Sequence, residues 1–302
     1  MASVVFAFYR AATRMMVLTQ DLASTGWATR ADSSARYLKS LSPPGIRAMK
    51  DKDFRSIARN PRNIPGVFNY CDGWCDRCPF TLRCSVYATR ETVEPERGPH
   101  DRVMESLWPR LDSSAGLVRE LLTKYADHPG VGLAKDPIFK SHGERVDSHR
   151  IGAAIKRYTE FAHAFIEEHA DVISAMPAAR NIHPVSAAEA IDVVAHYHLL
   201  LLVKSSRALS SRDEIDEMIE NDPDLADMPR DQDGTAKLIL ILLERSIAAW
   251  GVLSLQVPHH RDACLSAMLT LNRVLPLFEK EFPKARAFVR AGFDTVTFPP
   301  RK

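Results

Sequence analysis

The chain has 302 residues, of which 45% are hydrophobic and 26% are charged, the proportions of an ordinary globular protein with a sizeable core. Its formal net charge is only +2, which gives no argument for binding to nucleic acid or to an anionic membrane surface. No apolar run approaches the length of a membrane span, and the nearest covers six residues, Leu238 to Leu243. We therefore predict neither a nucleic-acid partner nor a transmembrane segment.

The first 50 residues are basic, with seven Lys or Arg against the two acids Asp21 and Asp32. This composition is typical of a transit-like or membrane-surface segment and equally of a poorly packed tail, with Met49 as a later candidate start. The apolar run VVFAF is too short for a secretory signal, so we expect a cytoplasmic protein, in which disulfides are rare. We predict a poorly ordered tail over residues 1–60.

Four of the five cysteines then fall within fourteen residues, in the pattern C-x3-C-x2-C-x5-C. They are Cys71, Cys75, Cys78 and Cys84. A [4Fe-4S] cluster has four iron corners, and one short loop can give a thiolate to each, as in the compact cysteine runs of bacterial ferredoxins. Proline follows the third cysteine, as it often follows a cluster ligand. Four aromatic residues are expected to shield the site: Tyr70, Trp74, Phe80 and Tyr87.

Other functions of the cysteine pattern are weighed against the cluster. Structural zinc usually takes its ligands from two C-x2-4-C pairs on separate knuckles, whereas here all four come from one short segment. Disulfides or buried free thiols form a third interpretation. Radical S-adenosylmethionine enzymes share the C-x3-C-x2-C spacing, but they have an aromatic residue where this chain has Arg77, and Cys84 would close the iron that they leave open. We predict a four-cysteine segment and linker over residues 61–100, binding a [4Fe-4S] cluster, with zinc as the alternative.

Helical periodicity dominates from residue 101 onward, without a convincing strand pattern. The predicted helices are Asp101–Trp108, Ser113–Tyr125, Asp147–Ile173, Ala187–Leu209, Thr235–Leu255 and Arg261–Glu281. Ser186 and Glu189 have the spacing of a capping box, and Gly234 is expected to precede the most apolar helix. The acidic residues 211–233 are predicted to form a solvated connection, with a short helix over Asp213–Glu220. The fold class is therefore all-α, a helical bundle over residues 101–302 with an N-terminal cysteine-rich segment.

Polar side chains on the apolar helices allow a second metal site to be assembled on paper. Glu160 and His163 form one E-x-x-H motif, whereas carboxylate-bridged di-iron bundles use two such motifs and two further glutamates. The candidate second-site residues are Glu160, His163, Glu189, His196 and Glu244. The competing hypothesis is structural: Glu244 pairs with Lys204 or Arg207 in a buried network that keeps two core helices in register.

Three stretches carry a resemblance to a group of proteins: FNYCDGWCDRCPFTLRC, RSIAAW at 245–250 and FPKARAFVRAGFD at 282–294. Over residues 60–295 the chain resembles uncharacterised bacterial helical proteins that share a Tyr-Cys-Asp-x-Trp-Cys cluster. The resemblance implies a bacterial, cytoplasmic, cluster-binding protein. It carries no catalytic residues over.

Common signatures of nucleotide binding and hydrolysis (GxGxxG, P-loop, HExxH and GxSxG) do not occur in the sequence. Four protein thiolates leave no open iron for substrate, so we predict an electron-transfer or redox-sensing protein that acts with a protein partner. The first alternative is a zinc-stabilised helical scaffold for protein interaction. The second is an oxidoreductase with a di-metal carboxylate site in the helical bundle.

Overall fold

The computed structural model of the chain describes residues 51–93, 107–125, 148–179, 183–221 and 231–294. The chain divides into two compact units, residues 1–50 and 51–302, and every described residue belongs to the second. The predicted tail therefore lies outside the described residues up to Lys50, as does the end of the predicted linker after Val93.

Within the described ranges the secondary structure is helical, without a strand, and the all-α prediction is confirmed. The helices are α1 Asp51–Ala58, α2 Ser85–Val93, α3 Leu107–Asp112, α4 Ala115–Tyr125, α5 Ser148–Ser174, α6 Ala187–Asn221, α7 Asp231–Gln256 and α8 Arg261–Glu281. Short 3-10 turns lie at Cys75–Arg77, Thr81–Arg83, Pro258–His260 and Ala285–Ala287.

The four long helices α5 to α8 form the bundle, because each packs against two of the others in the circuit α5, α6, α7, α8. Leu240, Ile247 and Trp250 of α7 are buried in the core. Leu200 of α6 is only half-buried, because it lies beside the exposed Leu199 on the outer side of that helix. The helices α3 and α4 pack on α7 as well, so α7 is the centre of the fold.

α7 is also the one helix in the described ranges whose length and composition would let it cross a membrane. Its candidate span is Gln232–Gln256, and 78% of the most apolar window of that span is buried inside the fold. Burial on this scale is typical of a core helix that is apolar on every side.

The predicted start of α6 is correct, whereas its predicted end is wrong. The capping box is confirmed: the Ser186 hydroxyl accepts the Glu189 N–H at 3.2 Å, and a Glu189 carboxylate oxygen accepts the Ser186 N–H at 2.9 Å. Asp213–Glu220 is helical as predicted, but it belongs to α6, which continues to Asn221, so the predicted solvated connection is wrong as far as that residue. Arg212 forms an ion pair with Glu281 at the end of α8, which holds this extension against the bundle.

The predicted ion pair of Glu244 is also wrong. Glu244 pairs with Arg286 of the C-terminal segment at 2.7 Å, and both side chains are 45% exposed. The helix turns Glu244 toward the surface while its apolar neighbours Leu243 and Ile247 enter the core. A partly exposed carboxylate has no need of a buried cation.

Candidate metal centre

The cysteine loop (residues 70–84) wraps around one small cavity. Its two 3-10 turns, Cys75–Arg77 and Thr81–Arg83, reverse the chain twice, and Gly73 takes a φ of 69° between the first two cysteines. The cavity, of about 20 Å³, is lined by all four clustered cysteines: Cys71, Cys75, Cys78 and Cys84. The fifth cysteine, Cys264, is buried in α8.

Aromatic side chains complete the walls of the cavity. Trp74, Phe80 and Tyr87 line it, as does Phe293 from the C-terminal segment, which meets Phe80 edge-on with ring centroids 4.8 Å apart. Tyr70 is not part of the lining. It packs edge-on against Phe288 at 4.8 Å and so fixes the point where the loop begins. The thiols therefore face an apolar surrounding.

Hydrogen bonds reach three of the four sulfur atoms. The Phe80 N–H donates to Cys78 Sγ at 3.4 Å, and the Cys71 thiol donates to the Phe68 carbonyl at 3.4 Å. The Arg90 side chain from α2 forms a hydrogen bond with Cys75. The Phe80 N–H and the Arg90 side chain are donors that would stabilise thiolates, whereas the Phe68 carbonyl accepts from the protonated Cys71 thiol.

Burial controls the protonation of the loop thiols. It raises the pKa of Cys71, and it raises the pKa of Cys78 to about 12. Burial also raises the pKa of Cys75, although the nearby Arg90 charge opposes the change. At neutral pH these three thiols hold their protons, and a metal that binds to them must displace those protons.

The donor set fits an iron–sulfur cluster or zinc, but the sulfur atoms are not drawn together around one point. Among the described residues, no group of three or more His, Cys, Asp or Glu side chains is arranged to hold a metal ion. A cavity of about 20 Å³ has space for roughly one water molecule. A single ion would fit this space if the sulfurs closed in, whereas a cubane would require the cysteine loop to move outward.

The residue between the first two cysteines, Asp72, connects the loop to the bundle. Its carboxylate accepts hydrogen bonds from the Tyr197 hydroxyl at 2.8 Å and from Arg245 Nη1 at 3.1 Å. Its carbonyl oxygen lies 3.1 Å from His196 Nε2. Burial raises the pKa of Tyr197 well above its ordinary value and lowers that of His196, so both side chains are neutral at pH 7. Neutral His196 therefore donates to the carbonyl.

Trp74 forms the second connection between the loop and the bundle. Its ring stacks on His196 at 4.3 Å between centroids and meets Trp108 of α3 edge-on at 5.7 Å. The Arg245 guanidinium lies 3.7 Å from the centroid of the Trp108 ring, a cation–π contact. Arg77, which covers Trp74, forms an ion pair with Asp192 of α6 at 3.7 Å. The non-cysteine residues of the loop thus fasten it to three helices.

The C-terminal segment after α8 encloses the site from another side. Lys237 of α7 donates to the Phe288 carbonyl and forms an ion pair with Asp294 at 3.0 Å. Gly234, in the first turn of α7, lies directly beneath Tyr70 and Phe288. A Cβ at this position would lie 2.6 Å from Tyr70 Cζ and 2.7 Å from Phe288 Cζ. The prediction that Gly234 precedes the helix is wrong, because α7 already begins at Asp231. The absence of a side chain at Gly234 allows the two rings to approach the helix closely.

The candidate second-site residues have separate surroundings. Glu189 accepts hydrogen bonds from Arg110 and Ser186, and Glu244 pairs with Arg286. His163 lies 3.5 Å from Glu167 one turn along α5, and its ring stacks on His198 at 5.7 Å. Glu160 is exposed, and His196 contacts the cysteine loop as described above. The described contacts do not assemble these five residues around a shared ion.

Sequence reasoning missed Asp72, Tyr197 and Arg90 as supports of the cysteine site. Arg245 did give a signal, because a lone cation on a very apolar helix requires a partner, but nothing in the sequence points to an aspartate 173 residues earlier. Arg77, in the cysteine loop itself, binds Asp192, and Arg90 of α2 is the arginine that reaches a sulfur.

Comparison with models of protein families, with curated proteins and with solved structures finds no match to this chain in any of the three.

Proposed function

We propose that Cys71, Cys75, Cys78 and Cys84 hold a [4Fe-4S] cluster, and that the protein transfers electrons to a protein partner or senses redox state. The proposal is carried by one observation: all four clustered cysteines line the same apolar cavity. One short loop supplies the complete donor set, as in compact cluster-binding motifs. A cytoplasmic, reducing compartment follows from this use of free thiols.

The surrounding residues have defined tasks in this proposal. A bound cluster supplies a one-electron redox centre. Phe80, Tyr87 and Phe293 exclude water from the sulfur atoms. The Phe80 N–H and the Arg90 side chain hydrogen-bond to thiolates and partly offset their charge. With four cysteines as ligands no iron is left open, so substrate chemistry at the cluster is not part of the proposal.

A zinc-stabilised scaffold is the second candidate, and the small volume of the cavity favours it. Zinc needs four sulfurs at about 2.3 Å from one ion, a far smaller group than a cubane. In that case the loop would serve to hold α3, α6 and α7 together through Asp72 and Trp74, and the function would be protein interaction rather than electron transfer.

Purification without oxygen, followed by assay of iron, acid-labile sulfide and zinc, separates the two. We expect about four iron and four sulfide per chain, with none in the variant in which all four clustered cysteines are changed to serine. Cys264→Ser is the matched control and should retain the full content, because Cys264 is buried in α8. About one zinc without sulfide would replace the proposal by the scaffold. Iron retained in the four-serine variant would move the metal site into the bundle.

A further inference from the structure

Large apolar side chains are exposed beside the cysteine cavity. Leu82 is 75% exposed, Val86 is 50% exposed and Phe68 is 38% exposed. Phe68 itself lines the cavity, and Leu82 and Val86 are next in sequence to the lining residues Thr81 and Tyr87. Eight large apolar residues are exposed in the described part of the chain, and three of them fall within this short stretch. Clustered exposure of this kind marks an interaction surface.

Arginines accompany these apolar side chains. Arg62, Arg83 and Arg90 are exposed. Arg83 Nε donates to the Arg62 carbonyl at 3.1 Å, which places the turns carrying these two arginines side by side. Arg90 follows Val86 by one helical turn, so both lie on the same face of α2.

The charge of this region differs from that of the whole molecule. Between residues 55 and 90, the exposed charged side chains in the described ranges are five arginines and one aspartate, Asp76. Over the complete chain, 40 basic residues are nearly balanced by 38 acids. Positive charge thus predominates on the described surface of the segment that carries the cysteine cavity, and a surface with this charge attracts acidic partners.

We propose that Phe68, Leu82 and Val86, with Arg62, Arg83 and Arg90 at their margin, form the docking surface for an acidic electron-carrier protein. We name these six residues the docking face. The proposal rests on the proposed function, because a carrier must dock beside the cysteines to exchange electrons with a group held there. An apolar centre with a charged rim is the usual composition of a protein–protein interface, and its charges steer association.

The apolar centre favours a protein over a nucleic acid as the occupant. Two of its three members, Leu82 and Val86, are aliphatic, and aliphatic side chains offer nothing to phosphates and no platform for base stacking. Stacking of single-stranded bases would need aromatic rings between the arginines, and the docking face offers only Phe68. An acidic protein with an apolar patch inside its acidic ring matches both parts of the surface.

Binding of the full chain to a plant-type ferredoxin, a small acidic carrier, tests the proposal. Calorimetry should detect a complex that weakens as salt rises from about 50 to 200 mM, because the contact is electrostatically steered. Leu82→Asp and Arg83→Glu should each weaken binding by roughly tenfold or more, since each sets a negative charge against an acidic partner. The matched controls are Val172→Asp on α5 and Arg119→Glu on α4, which change exposed residues away from the cysteine loop and should leave binding unchanged.

The outcomes separate the docking face from the cluster. Absence of ferredoxin binding, or equal binding by the docking-face variants, overturns the docking proposal, even if iron and sulfide are present. Tighter binding of a single- or double-stranded oligonucleotide than of ferredoxin overturns it in favour of nucleic acid. Iron and sulfide assays on the same samples should give unchanged contents for Leu82→Asp and Arg83→Glu, so loss of binding in these variants is not loss of the cluster. Zinc in place of iron would overturn the proposed function by itself.

Discussion

At the scale of single residues, Asp72 combines two roles that usually belong to different positions. It stands between two candidate ligands, and its carboxylate neutralises Arg245 and accepts from Tyr197. Tyr197 is fully buried, and a buried hydroxyl or charge without a partner is costly. The bundle therefore requires Asp72 as much as the loop requires the bundle.

Replacing Asp72 by alanine should weaken the fold even though the residue lies in a loop. We expect Asp72→Ala to lower the free energy of unfolding by about 1 to 3 kcal/mol, because Arg245 loses its carboxylate and the buried Tyr197 hydroxyl loses its acceptor, although Arg245 still donates to that hydroxyl at 2.9 Å. Urea denaturation measures this change. Asp112→Ala at the end of α3 removes an exposed carboxylate and should change stability by less than about 0.5 kcal/mol.

A double-mutant cycle gives the sharper result for the same pair. With Arg245→Met already present, Asp72→Ala should cost clearly less than it does alone, because the charge that needs the carboxylate is gone. Additive losses would show that Asp72 and Arg245 are not coupled.

Glu189 should make the stability of the bundle depend on pH. Burial alone would raise its pKa, but hydrogen bonds from Arg110 and Ser186 outweigh burial and lower the pKa from the ordinary 4.5 to about 2. Because the carboxyl of Glu189 has a lower pKa in the folded protein than in the unfolded chain, its ionisation stabilises the fold. This stabilisation is fully present above pH 4.5 and is lost as the pH falls toward 2. Glu189→Gln should be less stable than the parent by about 1 to 3 kcal/mol at pH 7.

The stability difference between the parent and Glu189→Gln, measured at several pH values, tests this assignment. Urea denaturation at pH 7, 4 and 3 should show the gap between the parent and Glu189→Gln narrowing with acid. Glu120→Gln, a change at an exposed glutamate of α4, should open no gap at any pH. A gap for Glu189→Gln that stays constant with pH would contradict the assignment of Arg110 as the partner.

At the scale of elements, the first turn of α7 packs closely against the start of the cysteine loop. Gly234 leaves the space that Tyr70 and Phe288 occupy, and Tyr70 directly precedes the first cysteine. Lys237, one turn further along α7, holds the C-terminal segment that contributes Phe293 to the cavity. One end of one helix thus positions two walls of the candidate site.

Gly234→Ala is expected to destabilise the protein, even though alanine favours the helical backbone more than glycine does. Alanine should favour helix by about 1 kcal/mol over glycine at an ordinary position. Here the added methyl group would meet two packed aromatic rings, at 2.6 Å and 2.7 Å, and overpacking of this kind typically costs about 1 to 3 kcal/mol. Thermal unfolding measures the net effect, which we expect to be a lower Tm.

Gly116→Ala in α4 is the matched control for this substitution. Apart from its chain neighbours and the backbone of its own helix, no heavy atom of the described residues lies within 4 Å of its added Cβ, so the substitution should be neutral or stabilising. A rise in Tm for Gly234→Ala equal to that of the control would show that Tyr70 does not pack on this glycine.

The sequence predicts elements well where a local rule decides and poorly where a distant contact decides. Arg261–Glu281 is found with both ends correct, and the capping box at Ser186 is confirmed, because periodicity and capping are local. The glycine of α7 was misplaced because its partner, Tyr70, is far away in the chain. Glu244 was assigned a buried partner because its neighbours are apolar, while the turn of the helix points it outward.

The cysteine site shows the same division. A spacing of four cysteines in fourteen residues is enough to predict that they share one site, and all four line one cavity. Their supports could not be predicted, because Asp72 reaches Tyr197 and Arg245 only once α6 and α7 are assembled. The exposure of the apolar residues in the docking face could not be predicted from the sequence either, because it depends on the conformation of the loop.

At the scale of the whole molecule, the bundle and the cysteine loop form one cooperative unit. The loop contributes Asp72 and Trp74 to contacts with α3, α6 and α7. The central helix α7 packs in turn against the long helices α6 and α8. Any group that binds the folded loop more tightly than the unfolded chain will stabilise the bundle as well. If the proposed cluster binds, its content and the stability of the bundle will therefore vary together.

The position of Asp72 in the chain also fixes an order of events during synthesis. Arg245 is translated 173 residues after Asp72, which at about 5 to 20 residues per second takes roughly 9 to 35 s. Until this interval ends, the four thiols lack the complete set of helices that later secures the loop, because α7 is the last of the three to be translated. A cluster of the proposed kind would meet an open loop on the nascent chain, and translation of α7 would bring that period of access to an end.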